Sequence, residues 1–234
     1  MDNKPNSSRW YPGGGIYRNV RLVKTNKTHI DQWGVFVTTP KVSESEATVR
    51  IVFEVSGGTQ GIQILHEIFT NDENPVKVAE KKVPYFKPSA LKIENPKLWD
   101  LENPNLYTLK TTLIKKGKIV DEYHSTFGIR SIKYTKDGFF LNGKKVRMNG
   151  VCQHHDLGTL GAAVNVRAIE RQIEILKSFG VNAIRTSHNP PAPEFLELCD
   201  KMGILVQVEA FDVWAKKKWI MIMQVYLGHG MSEI

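Results

Sequence analysis

The chain of 234 residues has no long apolar run, and this excludes a membrane-spanning helix, which needs about 20 consecutive apolar residues. Its first twenty residues are polar and glycine-rich and lack the apolar h-region of a signal peptide. Cysteine is scarce. Cys152 and Cys199 alone cannot build a disulfide framework, and their spacing fits no structural zinc site. Walker loop, GxSxG elbow and helical HExxH are all missing, so nucleotide-phosphate, serine-hydrolase and metalloprotease chemistry have no motif to stand on. Acidic residues are also the minority. Lys plus Arg number 32 against 24 acids, a net charge of +8. The lysines are spread through strand-like segments, and the one tight run is Lys216-Lys217-Lys218. No aromatic-interleaved basic cluster accompanies them, so a nucleic-acid partner is not expected.

What is present is an ordinary globular composition, 41% hydrophobic and 24% charged, long enough for one or two domains. The pattern changes near residue 137. Before it, residues 33–39, 47–56, 61–69, 105–114 and 118–126 are rich in β-branched and aromatic residues and several alternate apolar with polar. Turn residues separate them, at Ser56-Gly57-Gly58, at 71–75 and at Lys116-Gly117. Short strands at this spacing predict an immunoglobulin-like sandwich over 18–136.

After Asp137-Gly138 the order becomes strand, helix, strand, helix, strand. Residues 139–141 and 144–151 read as a hairpin turned by Asn142-Gly143. A helix is predicted over 166–179, with Ile169, Ile173 and Leu176 on one face, Asn165 as N-cap and Gly180 past its end. A buried strand follows at 181–185. The second helix covers 193–202, with Pro193 in its first turn and Gly203 beyond it, and a last strand covers 204–208. Such alternation demands a parallel sheet, whose sites form at the carboxyl ends of the strands. Polar and titratable residues gather at all three ends: Gln153-His154-His155-Asp156, Arg185-Thr186-Ser187-His188-Asn189, and Glu209 with Asp212. Histidines and carboxylates in this set could ligate a metal, but no ligand spacing supports one. An arginine, histidines and carboxylates on one rim suit a polyhydroxylated ligand, which needs many donors and acceptors.

The run Asn182-Ala183-Ile184-Arg185-Thr186-Ser187-His188-Asn189-Pro190, with Phe195-Leu196, Asp200 and Gly203-Ile204-Leu205-Val206, resembles the first signature of glycoside hydrolase family 2, which includes β-galactosidases and β-glucuronidases. Trp10-Tyr11-Pro12-Gly13-Gly14-Gly15-Ile16-Tyr17-Arg18 resembles the end of that family's jelly-roll domain. Residues 98–107 with Phe127-Gly128-Ile129-Arg130 resemble its immunoglobulin-like domain. Residues 140–144 and 150–156 resemble the opening of its catalytic barrel, and the whole is most similar to β-galactosidase-like members. Three departures stand out: Asn189 where the signature has Tyr, Gln207 where it has an apolar residue, and Val208-Glu209 where Asp-Glu is common.

The resemblance implies a jelly-roll end at 1–17, the sandwich at 18–136 and three β/α units of a (β/α)8 TIM barrel at 137–218. It implies retaining hydrolysis of a β-linked oligosaccharide or glycoside by two glutamates about 5–5.5 Å apart. Both would lie beyond the third unit, so no residue of this chain is expected to be a catalytic acid or nucleophile. Arg185 would position the nucleophile, His188 and His154 would bind sugar hydroxyls, and Asp212 is a weaker candidate on the same rim. No cofactor, metal or membrane partner is implied, full-length members are often homo-oligomers, and the compartment, cytoplasmic or periplasmic, is left open. The rival reading is a non-enzymatic carbohydrate-binding or interaction module built on the sandwich.

Residues 219–234 depart from the family pattern. Back-translated and shifted by two nucleotides, their codons permit Asp-Asn-Asp-Tyr-Ala-Ser-Leu-Phe-Gly-Thr-Trp-Asn-Glu, which resembles the family's continuation, so a frameshifted tail is expected. Met1 is expected to be an internal start or a fragment edge. Three strands of a barrel leave an unpaired edge. Limited proteolysis is therefore expected to leave a resistant core of roughly residues 18–136. A chain uniformly resistant from end to end would contradict this.

Overall fold

The computed structural model describes residues 15–85 and 89–210. Seven strands come first: β1 (His29–Val42), β2 (Glu46–Ser56), β3 (Ile62–Thr70), β4 (Lys77–Pro84), β5 (Ser89–Glu94), β6 (Tyr107–Lys115) and β7 (Lys118–Phe127). They form two antiparallel sheets, β1-β2-β5 and β4-β3-β6-β7. The chain crosses between the sheets at β2–β3, β4–β5 and β5–β6, which is the Greek-key wiring of an immunoglobulin-like sandwich.

Alternation explains the core. Ala47, Val49 and Ile51 of β2 are fully buried, and Leu91 and Ile93 of β5 lie beside them. Ile64 and Ile68 of β3 and Leu109 and Leu113 of β6 oppose them. Residues between these positions point to solvent, giving each sheet one wet face. Along one side β1 is tied to β7: the Ile30 N–H donates to Asp121 Oδ2 at 2.7 Å and the Trp33 N–H to Tyr123 Oη at 3.1 Å.

Strands β4 and β5 are absent from the sequence-based expectation. The first is Lys- and Glu-rich because it is the edge of its sheet, where charge blocks unwanted pairing. The second has only six residues, although its burial alternates strictly.

A small antiparallel sheet follows, of β8 (Ile132–Thr135), β9 (Gly138–Leu141) and β10 (Lys144–Val146) in the order β10-β9-β8. The Asn142-Gly143 turn is as expected, with positive φ at both residues. The single strand expected over 144–151 is two. β10 ends the hairpin, and β11 (Gly150–Gln153) opens a parallel sheet with β12 (Ala183–Thr186) and β13 (Leu205–Gln207). Helices α1 (Val166–Ser178) and α2 (Pro193–Met202) connect the parallel strands. Asn165 caps α1 by accepting from the Ala168 N–H at 2.9 Å. Gly203 ends α2 in the left-handed region at φ 69°. A Cβ there would lie 2.4 Å from the Leu101 carbonyl oxygen, so the close approach also requires glycine. Ile169 and Ile173 of α1 and Phe195, Leu198 and Cys199 of α2 cover Ile184 and Ile204 in a second core. Strand alternation puts Cys152, Arg185 and Gln207 in one layer across the sheet.

Inside the sandwich, His66 faces Thr111 across β3 and β6, with Nδ1 and Oγ1 hydrogen-bonded at 3.1 Å. The ring is 0% exposed and its Nε2 has no partner. Burial, with Lys81 nearby, pushes its pKa down from 6.5 to about 4. The unfolded chain therefore binds a proton that the folded chain refuses between those values. Stability is expected to fall by about 3 kcal/mol as pH drops from above 6.5 to near 4, with no further change from this group below that. Chemical denaturation of His66→Gln across the same range should show a flatter slope than wild type; identical slopes would refute the assignment.

Candidate sugar-binding rim

Because β11, β12 and β13 are parallel, all three carboxyl ends emerge on one edge of the sheet. Arg185, next to last in β12, lies beside Cys152 on one flank and Gln207 on the other. Its Nε donates to Glu209 Oε1 at 2.5 Å, and its Nη1 donates to Cys152 Sγ at 3.3 Å. Three residues on, past a cis Ser187–His188 peptide, His188 places Nδ1 2.8 Å from Glu209 Oε2 and 3.4 Å from Arg185 Nη2. The Glu209 N–H donates to Thr186 Oγ1 at 3.0 Å, which fixes the backbone from which the carboxylate reaches back. The His154 ring meets His188 edge to face, with centroids 5.6 Å apart.

Three of the four expected residues thus converge: Arg185, His188 and His154. Asp212 and the tail at 219–234 lie outside the described residues, as does nearly all of the segment 1–17. The residue that sequence reasoning left without a role is Glu209, placed at the third strand end but not among the expected site residues. The register carried the missing signal. Arg185 lies opposite Gln207, so position 209 stands level with the turn that holds His188.

Burial raises the Glu209 carboxyl, but hydrogen bonds from His188 and Arg185 and their charges outweigh it and hold it below the ordinary carboxylate value. Arg185 is held above its ordinary value by its bonds to Cys152 and to Glu209. The carboxylate and guanidinium therefore stay ionised together near neutrality.

His155 follows His154 in the chain but meets a different ring. It stacks on Tyr17 with centroids 5.1 Å apart, beside a cavity of about 60 Å³ bordered by Gln153, Ile169, Thr186 and Phe195. Burial, then the charges of Arg18 and His154, lower its pKa. The segment that carries Tyr17 is strapped to α2: Arg18 donates to the Pro190 carbonyl, and Asn19 and Arg21 donate to Glu194 Oε1 at 2.9 and 3.0 Å. No cluster of three or more metal-ligating side chains occurs among the described residues.

An immunoglobulin-like sandwich leading into β/α units with a polar rim at the strand ends defines the class: a sandwich followed by the start of a β/α domain, an order that fits the opening of a TIM barrel. Comparison with known proteins gives the family. The model of glycosyl hydrolases family 2 matches residues 28–130, and that of the family's TIM barrel domain matches 132–223. The chain belongs to glycoside hydrolase family 2. The β-galactosidase BoGH2A of Bacteroides ovatus is 45% identical, across 93% of this chain and 27% of its own length. A putative β-glucuronidase of Formosa agariphila is 38% identical, across 90% of this chain and 21% of its own. Among solved structures, a family 2 member from Bacteroides cellulosilyticus superposes with a TM-score of 0.76 at 38% identity, covering 83% of this chain and 26% of that one. A β-glycosidase from Bacteroides vulgatus gives 0.76 at 35% identity, covering 83% and 25%. The chain thus spans about a quarter of the length of these relatives.

The depressed Glu209 carboxyl makes its pairing pH-dependent, with a definite sign. Its contribution is complete above the ordinary carboxylate value of 4.5 and is lost as pH falls through the lower folded value. The difference in melting temperature between wild type and Glu209→Gln should be constant near neutrality and shrink below pH 4.5. A difference that grows on acidification would contradict the pairing.

Proposed function

We propose that this chain forms the sandwich and the first sugar-binding arc of a retaining hydrolase acting on terminal β-linked sugars, with a β-galactoside as the ligand to test first. One observation carries the reading: Arg185, His188 and His154 meet at the ends of parallel strands, in a chain 45% identical to a β-galactosidase. In that reading the two histidines hydrogen-bond ring hydroxyls, which supply both donors and acceptors. Arg185 keeps the nucleophilic carboxylate of the complete barrel ionised, as a guanidinium does for a neighbouring acid. Asp212 would join the same rim. The acid/base and the nucleophile are supplied by later barrel units, since the mechanism needs two carboxyl groups about 5–5.5 Å apart across the scissile bond. Homo-oligomerisation belongs to the proposal for the whole enzyme.

The 234-residue chain assayed alone is expected not to cleave aryl β-galactosides. It is expected to bind a β-galactoside in the millimolar range, followed by ligand-observed NMR. Arg185→Ala and His188→Ala should each weaken that binding ~10-fold, the scale of a lost hydrogen bond to a charged or buried group. Turnover that survives purification and responds to a mutation in this chain would overturn the first expectation. Binding untouched by either substitution would overturn the second.

A further inference from the structure

The two contacts at His188 Nδ1 cannot both be hydrogen bonds. A ring nitrogen is either a donor or an acceptor at one time. Glu209 is ionised near neutrality and can only accept. If Nδ1 carried a lone pair, it would face the lone pairs of Oε2 at 2.8 Å, a donor–acceptor distance with no proton in it. In exchange it would gain only a weak bond from Arg185 Nη2 at 3.4 Å. The geometry therefore selects the other form: Nδ1 carries the proton and donates to Glu209. The Arg185 contact is then van der Waals only, and the guanidinium is held by Nε to Glu209 and by Nη1 to Cys152.

We propose that Glu209 is a positioning residue, whose carboxylate grips Arg185 with one oxygen and fixes His188 in the Nδ1–H form with the other, so that His188 offers Nε2 as a hydrogen-bond acceptor to a sugar hydroxyl. The last clause rests on the reading of the rim as a sugar site. The tautomer and the pairing do not. Groups facing His188 are Glu209, Arg185 and the His154 ring. When the ring is neutral and held this way, a ligand hydroxyl donates its proton to His188 and accepts from somewhere else. An anionic ligand oxygen, having no proton to give, finds a lone pair there. The position thus selects a hydroxyl over a carboxylate. This pattern, one carboxylate orienting both a cation and an imidazole, is the usual way a second group sets which ring nitrogen is free to act.

The test reads the tautomer directly. Ring nitrogen shifts of the full 234-residue chain, labelled with 15N-histidine, are recorded while the pH is raised from about 8 until they no longer change, so that the two neutral tautomers are compared. The His188 signals are assigned by their loss in His188→Gln. In wild type the ring should be chiefly Nδ1–H. In Glu209→Leu it should shift toward the Nε2–H form that predominates in free imidazole side chains. Glu209→Gln should restore the wild-type form, because its amide oxygen can still accept from Nδ1. Thermal melts show which variants are folded. A wild-type ring that is chiefly Nε2–H overturns the proposal without any variant, so failure of Glu209→Leu to fold does not shelter it. So does a folded Glu209→Leu with the wild-type tautomer. None of these readings involves sugar. Absence of galactoside binding would therefore count against the rim as a sugar site while leaving the positioning role decided by the nitrogen shifts.

Discussion

Trp99 is the contact on which the arrangement of the molecule depends. Its indole is 2% exposed, in a loop between β5 and β6, and it belongs to the sandwich by sequence but not by packing alone. Its Nε1–H donates to the Asp200 carbonyl in α2 at 2.7 Å. Its own carbonyl accepts from Asn142 Nδ2 at 3.0 Å, and its N–H donates to the Ile129 carbonyl at 2.9 Å. The Arg130 guanidinium lies over the ring, 5.2 Å from its centroid. Gly128 is forced by the same ring, since a Cβ there would sit 2.8 Å from Trp99 Cβ. Phe139 and Leu141 of the hairpin complete the cluster, with Leu205 of β13 against it. One side chain therefore joins the sandwich, the hairpin and the β/α layer. A buried indole must spend its single donor, and here it is spent on the helix that carries the rim's supporting core.

That fixed junction gives the rim a rigid foundation. Leu205 is held by the Trp99 cluster and starts the strand that leads to Glu209. The Gly203 approach to Leu101 sets the turn just before that strand. The carboxylate at 209 is thus placed by contacts that reach back to residues about 100 positions earlier, and the strap from Tyr17 to Arg21 holds His155 and the first turn of α2. A binding or catalytic rim needs donors and acceptors fixed to within about half an ångström, and rigid elements achieve this better than loops alone.

The helices and their ends were legible in the sequence because their signals are local. Asn165, Pro193 and Gly203 act within one turn of the backbone they terminate, and all three stand where their chemistry requires. The sandwich was legible as a class because alternation is local too, yet β4 was hidden by the charge that its edge position demands, and β5 by its length. Splitting of the segment 144–151 into β10 and β11 was not legible. Nothing within those eight residues states that the first three pair backward with Phe139–Leu141 while the last two pair forward with a strand some 30 residues away.

The site shows the same division in a sharper form. Arg185 and His188 fall in one short motif, and their residue types alone suggest a polar rim. Glu209 acquires its meaning from parallel register, a property of two strands and the helix between them. Its charge was visible, but its partners were not, so as a single residue it looked like an acid without an assigned task. In the fold its two oxygens meet the Arg185 guanidinium and the His188 ring, and its ionised state follows from these partners rather than from burial, which would raise it. The rim is therefore one electrostatic unit. Arg185 stabilises the Glu209 charge, and Glu209 holds the His188 ring through its second oxygen. Removing any member changes what the other two offer, so additive single-residue effects are not to be expected among these three.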